Sequence, residues 1–205
     1  MSVNLQKGQK ISLTKGGTGL KKVMVGLGWD EAQPQAKGFF GGLFAAKPAD
    51  IDCDASVILC GANEKVIGSD IRDCCVYFGN LRHSSGAIVH QGDNLTGAGE
   101  GDDEQIMVDL SMVPAAIDKL VFVVNIYDAN VRNQDFGMIR NAFIRIVNMS
   151  DQSEICKYDL SENYSGMTGL IVGEIYRHEG EWKFNAIGRG VPNASRLDSL
   201  INLYR

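Results

Sequence analysis

No run in this 205-residue chain approaches the ~20 consecutive apolar residues of a membrane-crossing helix, so a helical span is excluded. No proline-rich, polar or low-complexity tract interrupts it either, and a single domain over residues 1–205 is expected. Cysteine is sparse: the chain has five, an odd number without any C-x-x-C spacing. That rules out a disulfide framework or a zinc ribbon and leaves the adjacent pair Cys74-Cys75 as ordinary strand packing. Met1 to Lys10 is polar and lacks the hydrophobic segment of a secretion signal, which predicts a cytoplasmic protein. The N-x-[ST] matches at Asn94 and Asn148 then carry no meaning for glycosylation. Basic stripes are missing too. With a formal net charge of −5, nucleic-acid binding finds no support.

What the chain does contain is alternation with a period of two, punctuated by frequent turn signals. Strands are predicted at Lys10 to Leu13, Val23 to Trp29, Ala55 to Cys60, Cys75 to Phe78, Ala87 to Val89 and Ile106 to Leu110. Further on they fall at Leu120 to Tyr127, Ala142 to Val147, Ile155 to Leu160, Leu170 to Arg177 and Trp182 to Ile187. Between the last two, His178-Glu179-Gly180-Glu181 reads as a short hairpin turn. Only the tail is helical in pattern: Leu197, Leu200, Ile201 and Tyr204 recur at i, i+3, i+4 and i+7, with Asn193 or Ser195 as cap. The expectation is an all-β chain: a β-sandwich of two packed sheets, few short helices and a C-terminal helix. A weak internal echo relates Lys21 to Asp30 with Asp118 to Asp128, and makes Asp30 and Asp128 matched strand-end carboxylates.

Negative charge is concentrated in two places. Gly92 to Glu104, GDNLTGAGEGDDE, packs five carboxylates into a glycine-rich loop between apolar stretches. Carboxylates about 4 Å apart at an effective dielectric near 20 repel by roughly 4 kcal/mol per pair, so such a loop splays into solvent or recruits a cation. In Asp50-Ile51-Asp52-Cys53-Asp54-Ala55-Ser56 the acids recur every second residue, which on a strand places them on one face. The eight acids of the two segments have no Lys or Arg among them and exceed the chain's whole net charge, so the remainder is net positive. Hard oxygen donors in this density suit calcium, which takes six to eight ligands at about 2.3–2.6 Å. Candidate ligands are Asp54, Asp93, Asp102, Asp103 and Glu104, followed by Asp30, Asp52 and Asn94, for about two calcium ions. The loop is not an EF-hand, because Leu95 and Gly97 stand at ligand positions and Ala98 at the obligatory glycine.

Seven segments stand out in order: VGLGWD (Val25 to Asp30), DIDCDAS (Asp50 to Ser56), VHQGDNLTGAGEGDDE (Val89 to Glu104), VFVVNIYDA (Val121 to Ala129), RNQDFG (Arg132 to Gly137), YDLSENYS (Tyr158 to Ser165) and GEIYRHEGEWKFNAIGRG (Gly173 to Gly190). Together, over nearly the whole chain, they resemble the TerD family of tellurium-resistance and stress proteins. The resemblance implies a β-sandwich that binds calcium through the two acidic segments, in a stress-induced cytoplasmic protein. It implies no reaction. Cys53 stands where the motif usually has Leu. An insertion, Glu31 to Ala49, carries Gly38-Phe39-Phe40-Gly41-Gly42-Leu43-Phe44, a loop similar to that of the TerZ-like branch.

Enzyme motifs fit poorly. Asp52-x-Asp54 follows no apolar strand, as a haloacid-dehalogenase nucleophile would, but precedes one. Lys15 to Lys22 fails the phosphate-loop spacing, and His83, His90 and His178 have no nucleophile context. His90, three residues before Asp93, reads as a residue behind a metal ligand or as one paired at a strand end. The expected function is a non-enzymatic calcium-binding adaptor in stress response; the alternative is a metal-dependent hydrolase or nucleotide-binding protein using the same acids. Other stress-operon proteins, or the inner membrane surface met through residues 38–44, are the expected partners.

Overall fold

Alternation along the strands buries one face of each of two six-stranded sheets, which pack on one another in the computed structural model. It describes residues 2–14, 19–31, 51–93 and 101–205, with the side chains of Glu31 and Asp93 outside the description. The insertion tip at 38–44 therefore lies outside the described residues.

The first sheet contains β1 (Val3–Leu5), β3 (Lys22–Glu31), β6 (Ile88–Asp93), β7 (Glu104–Asp109), β9 (Ile139–Asn148) and β10 (Glu154–Asp159), in the order β1-β10-β9-β3-β7-β6. The second holds β2 (Lys10–Ser12), β4 (Cys53–Cys60), β5 (Cys75–Val76), β8 (Lys119–Ile126), β11 (Gly169–His178) and β12 (Glu181–Val191), in the order β2-β12-β11-β8-β4-β5. Between them lie Val25 and Leu27 of β3, Ile106 of β7, Ile144 and Ile146 of β9, facing Val57 and Leu59 of β4, Phe122 and Val124 of β8, and Phe184 of β12. Each such side chain contributes roughly 1.5–3 kcal/mol by leaving water.

The second sheet is also covered on its outer face. Ile58, Cys60, Val121, Val123 and Ile171 pack there against Cys74 of the short helix α1 (Ile71–Cys74) and against Ala194, Leu200 and Ile201. Leu200 and Ile201 belong to the C-terminal helix α3 (Leu197–Ile201). Burial on both faces explains why β4 and β8 carry the unbroken runs VILC and LVFVV instead of an alternation.

Every expected strand is present, and the hairpin joins His178 to Glu181 through Glu179 and Gly180, both at positive φ as a tight two-residue turn requires. Three details differ. The sequence reading did not anticipate β1, because Val3-Asn4-Leu5, which pairs parallel with β10, is too short to establish a period. Cys74 ends a helical turn, so only Cys75 enters a strand. The cap of α3 is Arg196, without a side-chain hydrogen bond, since packing of Leu200 and Ile201 fixes this helix where a cap would otherwise be needed. All five cysteines are free and buried. Burial pushes the Cys60 and Cys156 thiols up to about 12.

Candidate functional site

Asp102 lies on the outer face of the first sheet, over β3. Val25 and Leu27 turn inward there, so Gly26 faces out, and a Cβ on it would meet the Asp102 carboxylate at 2.2 Å. Only glycine leaves room for this approach. The carboxylate has a fully buried side chain and is gripped in a fork by Arg145 of β9, Nε to Oδ1 at 2.7 Å and Nη2 to Oδ2 at 2.9 Å. The Gln105 amide donates to the same Oδ2 at 3.0 Å. These bonds hold the Arg145 guanidinium above its ordinary range against the opposing effect of burial.

One residue on, the Asp103 carboxylate accepts the Trp29 backbone N–H at 2.7 Å, and its own N–H donates to the Leu27 carbonyl at 2.8 Å. The acidic segment is thus stitched to β3 by both the carboxylate and the backbone N–H of Asp103, next to the Asp102–Arg145 fork.

Glu104 opens β7 and points the other way, into the space between the sheets. Its Oε2 accepts the Ala55 N–H at 2.9 Å and lies 3.0 Å from His90 Nε2, which is also 3.2 Å from the Ala55 carbonyl. Gly92 donates its N–H to His90 Nδ1 at 3.0 Å, so the ring proton sits on Nε2, facing Glu104 and Ala55. Two side chains of the first sheet therefore satisfy both backbone groups of Ala55, much as a neighbouring strand would. At this point the two acidic segments meet.

The other candidate ligands are more dispersed. Asp54 is half-buried in β4, opposite Asn125 of β8. Asp52 is exposed; its carbonyl accepts the Tyr127 N–H at 2.8 Å, and its carboxylate stands 3.8 Å from Arg132, which also stacks over the Tyr127 ring. Asp30, also exposed, accepts the Asn141 amide at 2.8 Å. Asp128 takes a left-handed backbone at the start of α2 (Ala129–Arg132). The Asp93 side chain and Asn94 lie outside the described residues, as do Asp50 and Glu100. Among the described residues, no three His, Cys, Asp or Glu side chains gather as a metal-binding group.

Although no Lys or Arg lies among these acids in sequence, two of them, Asp102 and Asp52, have basic partners in the structure. Arg145 and Arg132 come from strand and helix positions far along the chain, which a segment-by-segment charge count does not see. Arg145 was missed altogether. The available signal was a cationic residue at an outward position of an alternating strand, Ala142 to Val147. His90 does pair at its strand end, one of its two expected roles.

Beside Asp103 the outer face of the first sheet opens into a groove of about 1190 Å³, lined by Trp29, Asp30, Arg140, Phe143 and Lys157 among others. Its charges are of mixed sign, with the Lys157 ammonium 4.4 Å over the Phe143 ring.

Residues 1–204 match the sequence profile of the family described as TerD domain. The chain is 53% identical over 204 residues to the stress response protein SCP2 of Bacillus subtilis (strain 168), covering 100% of both chains. It is 45% identical over 191 residues to the tellurium resistance protein TerD of Serratia marcescens, covering 93% of this chain and 91% of the other. Among solved structures, a homologue of telluride resistance protein (TerD) from Streptomyces coelicolor A3(2) superposes with a TM-score of 0.60 at 21% identity, over 85% of this chain and 92% of that one. That likeness concerns the fold alone.

Proposed function

This chain belongs to the TerD family, and we propose that it serves as a calcium-binding stress-response module that presents a metal-ordered surface to partners and catalyses no reaction. The observation that carries this reading is the junction at Ala55, where Glu104 of the second acidic segment bonds the backbone of the first. Two segments that are 49 residues apart in sequence at that bond are thereby held at one end of the sandwich.

The donor chemistry fits. Both segments offer carboxylate, amide and carbonyl oxygen, the set that calcium takes and that softer metals do not select. Asp102 and Glu104 already hold Arg145, Ala55 and His90, so in this reading they brace the loop. The ions would be held by the 92–104 loop with Asp103, and by the entry of β4 with Asp54. Among the described residues no helix is long and apolar enough to cross a membrane. Stress-operon proteins or an anionic membrane surface, approached through residues 38–44, are the proposed partners.

Calorimetry with chelator-treated protein tests the reading. Calcium is expected to bind with a stoichiometry of about two and to raise the melting temperature, because a ligand selective for the folded state stabilises it by mass action. Magnesium, with its smaller octahedral shell, is expected to bind more weakly. A melting curve indifferent to excess calcium would remove the proposal.

A further inference from the structure

Past β5 the chain turns back on itself over Tyr77-Phe78-Gly79-Asn80. The Asn80 N–H donates to the Tyr77 carbonyl at 2.8 Å and the Tyr77 N–H to the Asn80 carbonyl at 3.2 Å, which leaves Phe78 and Gly79 at the tip. The Asn80 amide fastens this turn to the end of α1, donating to the Arg72 carbonyl at 3.1 Å and to the Cys75 carbonyl at 2.8 Å. On so firmly held a turn an apolar ring faces water: Phe78 is 60% exposed and Leu81 43%. The Phe78 ring meets only the edge of Tyr77, centroid to centroid at 5.4 Å. Arg72 and Arg82 flank the tip, both exposed. The ion pairs of the described residues use neither guanidinium. Of the neighbouring acids, Asp70 caps α1 by accepting the Arg72 N–H, and Asp73 lies against Gly68. An exposed aromatic on a rigid turn between two cations has the form of an interface anchor, because docking it freezes little that is not already fixed.

A complementary surface lies on the same chain. The groove beside Asp103 runs over β3, β9, β10 and residues 161–165, and none of its lining comes from residues 71–82, so the tip does not fill the groove of its own molecule. Trp29 and Phe143, both half-buried, give the groove an aromatic part. Asp103 is assigned above to calcium. Without it, four carboxylates, two of them Asp159 and Glu162, line the groove against Arg140, Arg145 and Lys157. Asp102 and Lys7 bond to this lining from outside it, one of each sign, and the balance stays negative.

The chain thus carries both halves of a contact: an aromatic tip flanked by cations, and an acidic groove with aromatic rings in its wall. We propose that the protein self-associates, with the Phe78 tip of one copy seated in the groove of a second copy. Arg72 and Arg82 of the first copy then face Asp159 and Glu162 of the second, which supplies the carboxylates that these guanidinium groups lack within their own molecule. A volume of about 1190 Å³ accommodates the turn together with its flanking side chains. The contact does not depend on calcium.

Sedimentation equilibrium in chelator, at protein concentrations up to the millimolar range, tests this. Wild type is expected to gain mass with concentration and to lose it as salt rises, since charge pairs at an interface rim are screened. Phe78→Ser at the tip and Asp159→Lys in the groove are each expected to weaken association about tenfold or more. An equimolar mixture of the two variants should recover a complex of two chains, because one keeps its groove and the other its tip. Should Phe78→Ser not fold, Arg82→Glu serves as the tip variant. A wild type that stays monomeric at millimolar concentration would overturn the proposal and leave the tip to a different protein. Variants that associate like wild type, or a mixture that recovers nothing, would overturn it equally. None of these results touches the proposed calcium binding, and a failure of calcium binding would not touch this contact.

Discussion

Gly26, Asp102 and Arg145 form a unit in which each residue is required by the other two. The missing Cβ lets a carboxylate lie flat on β3, and the guanidinium across the strand compensates its burial. Gly26→Ala is expected to push Asp102 out of the Arg145 fork. Losing charged hydrogen bonds of this kind costs about 2–3 kcal/mol, and a urea midpoint should fall accordingly. An unchanged midpoint would mean that the acidic segment rides on the sheet without being anchored by it. At His83, burial holds the imidazole below its ordinary range, with the Asp73 carbonyl and charge opposing. The ring's Nδ1 accepts the Ser85 N–H at 3.2 Å and lies 2.7 Å from Ser85 Oγ, so the neutral form belongs to the folded state. A base with a depressed folded pKa contributes stability that is present above the unfolded value of 6.5 and is lost as pH falls through it. Between roughly pH 7.5 and pH 5 the melting temperature should therefore drop less in His83→Gln than in wild type; equal slopes would assign the acid sensitivity elsewhere.

Among the elements, the C-terminal helix has the clearest structural task. It is short and poorly capped, so it holds its place through what it covers. Leu200 and Ile201 are fully buried on Ile58, Val121, Val123 and Ile171, and the Tyr204 carbonyl accepts the Val66 N–H at 2.8 Å. Deleting residues 197–205 would expose that face of the second sheet. Those two side chains alone contribute roughly 1.5–3 kcal/mol each, a large share of the 5–15 kcal/mol typical of a domain. The truncated chain is expected to bind a hydrophobic dye and to unfold at markedly lower urea; a wild-type midpoint would show that the helix merely decorates the sheet. Glu104 works at the same scale. Reaching from β7 to the edge of β4, it ties the two sheets at the end where both acidic segments lie.

For the molecule as a whole, the sandwich sets the described acids on different faces while joining their segments at Ala55. Asp102 lies on the outer face of the first sheet and Asp54 on the outer face of the second, with Glu104 between them. Calcium-dependent stabilisation, if it arises from two such separated places, should survive in part when either is disabled. The strands and their turns were legible because most have a period of two, β4 and β8 are short continuous apolar runs, and turn signals separate them. The acidic segments were legible because five carboxylates in thirteen residues have no reading as core. Arg145 and Asn125 were not. Each is an ordinary outward residue of its own strand, and acquires meaning from the strand that comes to lie beside it.

Sequence alone determined the class of fold and the location of the charge, because hydrophobic period, turn residues and local composition are properties of short segments. Which residues meet was decided only by tertiary structure. Register sets Asp54 opposite Asn125, strand order brings Arg145 within reach of Asp102, and the packing of two sheets carries Glu104 to Ala55. Such pairings join positions 43 to 71 residues apart. No local pattern records them, since a side chain's partner across a sheet is chosen by the alignment of whole strands and the burial of their inner faces.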